Sequence, residues 1–203
     1  MSNPYRAPGR SSSVRENLRV WAAAVAAGVL LVVVLEACSD GDTVTTSSTT
    51  APREDFVPEA ADFRNLHTMT EVRGFYVDNR LGHLDEAITV ANSPDGGEYP
   101  VGTIIQLVPQ EAMVKRRAGF SPATNDWEFF FLSVSPAGTV IEVRGGDEVV
   151  NRFGGNCASC HSAADPQFDF VCEDDHGCEP LPIDDNIILA IQEADPRPLE
   201  SAP

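Results

Sequence analysis

The run Asn156-Cys157-Ala158-Ser159-Cys160-His161 carries the densest reactive chemistry in the chain. On a helical turn, two thiols three residues apart share one face. The histidine follows the second thiol directly, so its imidazole lies close to both. Cys-x-x-Cys-His is the attachment signature of a c-type haem: each thiol forms a thioether with a vinyl group, and the imidazole ligates the iron. The expectation is a covalent haem c on Cys157 and Cys160, with His161 as the axial metal ligand. Other chemistries use the same residue types. A redox dithiol belongs in a strand–helix–strand unit, and no such unit is read around residue 157. A structural zinc could draw on Cys157, Cys160, Cys172 and Cys178. The plainest alternative is a disulfide beside a chance histidine.

Cysteine usage and the N-terminus set the compartment. Arg6, Arg10, Arg15 and Arg19 precede an apolar run of 16 residues, 20–35, which ends in Leu35-Glu36-Ala37-Cys38. The run is short for a membrane span, which needs roughly 20 residues. A small residue before a cysteine at the end of such a run resembles a bacterial lipobox. Residues 1–37 are then a signal peptide, and Cys38 is the lipidated first residue of the mature chain. An uncleaved N-terminal anchor is the alternative. Either reading puts the remainder outside the cytoplasm, in the periplasm or on the cell surface, attached to a bacterial membrane. Of the five cysteines, Cys172 and Cys178 remain. In an oxidising compartment they are expected to form a disulfide around a short polar loop. A zinc site would need those thiols reduced.

The formal net charge is −17 over 203 residues. The signal segment is itself net positive, so the mature part is more acidic still. This excludes nucleic acid as a partner, since phosphate binding needs a basic face. At 42% hydrophobic, the chain can bury one modest core.

The elements that must carry the motif read as follows. Residues 38–55 are rich in Ser, Thr and Asp and form a flexible linker. The folded domain is expected over 56–203, opening with a short helical turn at 58–63. Strands are expected at 71–77, 103–108, 111–117, 127–134 and 139–144. Helices are expected at 80–90 and 184–193, the latter capped by Asp184 or Asp185, with Ile187, Ile188 and Ile191 as its apolar stripe. Residues 127–134 are aromatic and apolar at successive positions, as for a strand buried on both faces. Residues beyond 193 are Pro-rich and expected to fray. The fold class is α+β: an antiparallel sheet with a few helices and a C-terminal haem-attachment loop.

Several of these runs together resemble the cytochrome P-460 family. They are Glu71-Val72-Arg73-x-Phe75-Tyr76-Val77-Asp78, Tyr99-Pro100-x-Gly102-Thr103, residues 111–117, Gly119-Phe120, Asn125-Asp126-Trp127-Glu128-Phe129-Phe130, the Cys-x-x-Cys-His motif, and Asp169-Phe170-Val171. The resemblance spans residues 65–171. It implies an antiparallel haem domain, usually a homodimer, with five-coordinate iron ligated by the motif histidine and an open distal side. Members that oxidise hydroxylamine cross-link a lysine to the porphyrin. The matching position here is Leu107, and Lys115, the only lysine of the chain, falls on the next strand. Relatives without the cross-link, the cytochromes c-prime of the beta type, bind nitric oxide or carbon monoxide under an apolar cap, a role that suits Leu107. Arg73 matches a distal arginine that would donate hydrogen bonds to a bound ligand.

The expected function is binding or conversion of small nitrogen species, nitric oxide or hydroxylamine, at that open site. The alternatives are an electron carrier and a zinc-binding structural domain. A carrier commonly fills both axial positions with His and Met, and nothing in sequence singles out Met69 or Met113. His67, His83 and His176 read most simply as surface residues. Phe129, Phe130 and Phe131 read as core or as a haem wall, and Lys115-Arg116-Arg117 as a solvated patch.

Overall fold

A computed structural model describes residues 54–199 with the exception of 153. The segment expected to be a signal peptide, Cys38 and all but the end of the expected linker lie outside the described residues. Six strands form one antiparallel sheet in the order of the chain: β1 (Thr70–Val72), β2 (Phe75–Asn79), β3 (Thr103–Gln106), β4 (Glu111–Lys115), β5 (Trp127–Ser135) and β6 (Gly138–Gly145). Among the described residues three α-helices accompany it: α1 (Leu84–Ala91), α2 (Cys157–His161) and α3 (Asp185–Glu193). The α+β class is as expected.

Side chains alternate across each strand, so the sheet sorts its apolar residues into two cores. Phe75, Val77, Ile105, Met113, Trp127 and Phe129 face one side, where they pack with Ala87 of α1 and with Cys157 and Ala158 of α2. Ile104, Ala112, Val114, Phe130 and Leu132 face the other side and pack with Phe63. The strand expected at 71–77 is two strands. Arg73 and Gly74, at φ 45° and 89°, form a two-residue hairpin turn between them. That turn needs positive φ at both positions, a conformation Asn or Gly would have signalled and arginine does not.

The helix expected from residue 80 begins at Leu84. Gly82 stands at φ 87°, and the Asn79 side chain accepts hydrogen bonds from the Leu81 and His83 amides. The first half of β5 is buried on both faces, and only its second half alternates with solvent. In α3, capped by Asp184, Ile188 and Gln192 are buried while Ile187 is exposed. The apolar stripe is therefore narrower than expected.

Both ends of the domain depart from expectation. Asp55 belongs to the fold: its carboxylate accepts from the Arg116 guanidinium at 2.9 and 3.1 Å and from the Arg117 amide at 3.0 Å. The tail after α3 is tied down through residue 197. Arg197 is buried, pairs with Asp195 at 2.6 Å and donates to the Phe63 carbonyl, while Asn65 donates to the Arg197 carbonyl at 2.7 Å. A buried guanidinium with partners outweighs the local prolines.

Candidate haem-attachment site

The motif forms a single turn, α2, pinned at its start. Asn156 is its N-cap: the side-chain oxygen accepts from the Ser159 amide at 2.8 Å, and the amide group donates to the Asp147 carbonyl. The Cys157 amide donates to the Val149 carbonyl at 3.0 Å. The turn thus hangs on the segment that follows β6, against the sheet face of the larger core.

The two motif cysteines are not disulfide-bonded. Cys157 is buried and Cys160 exposed. Burial, reinforced by the nearby Glu111 carboxylate and by Cys160, pushes the Cys157 thiol up to about 11. A reactive redox dithiol needs the opposite shift, because the thiolate is the nucleophile. Cys172 and Cys178 are joined, with their Cα atoms 5.7 Å apart. That bond removes two of the four thiols that a zinc site would require.

His161 lies over Phe129, with ring centroids 5.1 Å apart. Its Nδ1 is 2.8 Å from the Phe170 carbonyl oxygen. A carbonyl only accepts, so Nδ1 carries the proton and Nε2 keeps its lone pair. Burial lowers the imidazole pKa against the opposing pull of that hydrogen bond, which favours the neutral ring a metal needs. The donor set therefore fits a c-type haem: two thiols on one helical turn and a neutral imidazole whose tautomer is already fixed. Cys157, Cys160 and His161 would hold the group.

The residues expected on the distal side divide. Leu107 is half-buried against the larger core that also contains Cys157. Arg73 is committed elsewhere. Its guanidinium pairs with Glu173 at 2.6 and 2.9 Å and donates to the Ala91 carbonyl at the end of α1 at 2.7 Å. Glu173 lies on the segment that follows His161 in the chain, so Arg73 braces that segment. Arg73 thus stands in a hairpin turn with three such bonds, not within the single strand expected over 71–77.

Lys115, Arg116 and Arg117 are not one solvated patch. Lys115 and Arg116 are buried, and only Arg117 is exposed. His176 is also buried, not on the surface. It stacks on Phe168 at 3.6 Å and bonds the Val171 carbonyl through Nδ1. Met113 belongs to the larger core and Met69 packs against the smaller one. Glu173, Asp175 and His176 sit within metal-ligating distance of one another. Glu173 is bonded to Arg73 and His176 to the Val171 carbonyl, while Asp175 is exposed.

Sequence reasoning did not anticipate Glu111 beside Cys157, nor the contacts of buried Lys115 with the Asp169 carboxylate and the Asn125 carbonyl. One signal was present for Lys115: the only lysine of the chain directly follows the apolar run Ala112-Met113-Val114 on a strand. Comparison with protein-family models, with curated proteins and with solved structures gave no match to this chain.

Proposed function

We propose that this is an extracytoplasmic c-type haem protein that binds or converts small nitrogen species, nitric oxide or hydroxylamine, at an open distal site. The reading rests on one observation above others. His161 Nδ1 is already bonded to the Phe170 carbonyl, beside two unbridged cysteines on a single turn, while the other two described cysteines are bridged. That combination is what thioether attachment with Nε2 ligation requires. The likeness of residues 65–171 to the cytochrome P-460 family supports the same reading. Leu107, at the position where hydroxylamine-oxidising members carry the cross-linking lysine, favours nitric oxide binding over hydroxylamine oxidation within that reading.

When bound, the haem iron supplies an electrophilic coordination site for a diatomic or amine ligand. The chain's own residues do the rest. His161 would ligate the iron through Nε2 as a neutral donor. Leu107 and its neighbours offer an apolar cap that favours uncharged ligands, because a buried charge without a partner is costly. With Lys115 engaged in a buried ion pair, no lysine is left for a cross-link. Carbon monoxide and nitric oxide binding should then exceed hydroxylamine turnover. Cys38 would tether the protein to the membrane, and a homodimer is the expected assembly.

The test is a preparation of the chain with the c-type maturation machinery. It should gain the mass of one haem that survives denaturation, and its ferrous spectrum should change sharply with carbon monoxide. Zinc without porphyrin would sink the proposal. A six-coordinate ferrous spectrum indifferent to carbon monoxide would convert it to an electron carrier. Fast hydroxylamine turnover with a red-shifted haem band would overturn the absence of a cross-link. Cys38→Ser should move the protein from the membrane to the soluble fraction.

A further inference from the structure

Two consecutive residues of the loop after α2, Asp169 and Phe170, stand at φ 51° and 65°. Left-handed backbone is costly for a side chain as bulky as phenylalanine. It persists only where the surroundings over-determine it. The surroundings here do so. The Asp169 carboxylate accepts from Lys115 Nζ at 2.7 and 2.9 Å, from the Tyr99 amide at 2.7 Å, and from the Asn125 side-chain amide. Its backbone carbonyl accepts from Trp127 Nε1 at 2.7 Å. Lys115 Nζ also donates to the Asn125 carbonyl at 2.9 Å, and its side chain is 3% exposed. The Phe170 side chain packs into the larger core. With Asp169 held at both its side chain and its carbonyl, and Phe170 anchored in the core, the Phe170 carbonyl points at His161 Nδ1.

A buried ion pair is a poor source of stability, since desolvation consumes most of its Coulomb energy. Strained backbone beside a reactive residue is instead a common sign of function. We propose that Lys115 and Asp169 are positioning residues for His161. Their buried pair holds the Asp169–Phe170 turn in its left-handed form, so that the Phe170 carbonyl fixes the imidazole tautomer and strengthens its donation through Nε2. Partners of this kind orient a ligating histidine and raise its basicity. Stronger donation favours ferric over ferrous iron, so the pair also lowers the reduction potential. This inference rests on the haem reading for its effect on iron, and on the geometry alone for its effect on His161.

The experiment therefore has a haem-free and a haem-loaded arm. In haem-free protein, nitrogen-15 NMR should find wild-type His161 as a single tautomer protonated at Nδ1. Asp169→Asn and Lys115→Met should give a mixture of tautomers, with faster exchange of the Nδ1 proton. In loaded protein the same variants should lower the iron–histidine stretching frequency in resonance Raman spectra. The preference for ferric iron should fall about tenfold, read as about 59 mV toward positive potential for one electron. Trp127→Phe keeps an aromatic side chain and the Lys115–Asp169 pair, and removes the bond to the Asp169 carbonyl together with part of the buried indole. It should give the same changes in smaller degree, and it serves if the Lys115 variant does not fold. Variants that fold, yet leave the tautomer, the frequency and the potential at wild-type values, would overturn the positioning role. If wild-type protein takes up no haem, the haem reading fails. The NMR arm then still decides whether the pair sets the state of His161.

Discussion

Lys115 and Arg116 are consecutive residues whose charges serve opposite faces of one sheet. Lys115 shares its face with Met113 and its cross-strand partner Trp127, and reaches Asp169 on the loop after α2. Arg116 turns to the other side. There it pairs with Glu128 and with Asp55 at 2.9 Å, while Arg144 bonds the same Glu128 at 2.7 Å and lies 5.0 Å from the centre of the Phe130 ring. Both cations are buried and paired, so burial and pairing alone do not distinguish a site from a scaffold. What distinguishes them is the next contact. The Asp169 clamp passes directly to a strained carbonyl and a histidine. The Glu128 cluster passes to the N-terminal segment and to β6, where no reactive residue stands.

The sharpest way to test that division is to remove the chemistry from the first face and leave the second intact. Cys157→Ser combined with Cys160→Ser should abolish covalent haem completely, while the far-ultraviolet circular dichroism spectrum stays that of a folded sheet protein. Retained covalent pigment would show that the reactive face has been misassigned.

The converse change strikes the scaffold face. Arg116→Ala leaves Glu128 buried with Arg144 alone and Asp55 with only the more distant Arg117 guanidinium, at 3.7 Å. Breaking a buried pair in this way costs about 3–5 kcal/mol. Urea denaturation should register the loss. Haem per folded molecule, and the spectrum of bound carbon monoxide, should not change. A shifted spectrum would mean that the two faces communicate.

A smaller effect is expected from opening the disulfide that closes the loop behind the site. Cys172→Ser with Cys178→Ser should cost about 2 kcal/mol, the entropy of so short a loop. The loss should appear as a lower midpoint, with haem still attached.

The smallest effect belongs to Arg73. Its side chain is 44% exposed and its partner Glu173 is on the same rim, so Arg73→Ala should cost less than about 1 kcal/mol. The ratio of cyanide to carbon monoxide affinity should stay at the wild-type value, because the guanidinium braces the loop after His161. A marked selective loss of anion binding would restore the distal role suggested by the family resemblance.

Much of this architecture was legible in the chain. The helical turn carrying Cys157, Cys160 and His161, the disulfide between Cys172 and Cys178, the aromatic strand over 127–135 and the capped C-terminal helix follow from local chemistry. Their signals are fixed spacings, β-branched and aromatic runs, and a capping aspartate, each contained within a few residues. The hairpin at Arg73 was hidden because its turn uses an arginine at positive φ, where the usual signal is asparagine or glycine. The fates of Lys115 and Arg116 were hidden for a different reason. Strand alternation assigns them to opposite faces, but which face meets the attachment turn depends on how six strands pair and where the chain after β6 returns. Asp169 lies 54 positions from Lys115 along the chain, and no local pattern brings them together. Sequence alone therefore determined which residues could react and which elements would form. The tertiary structure decided which of two adjacent cations supports the reactive histidine, because that choice depends on a long-range contact whose partners only the folded sheet brings into reach.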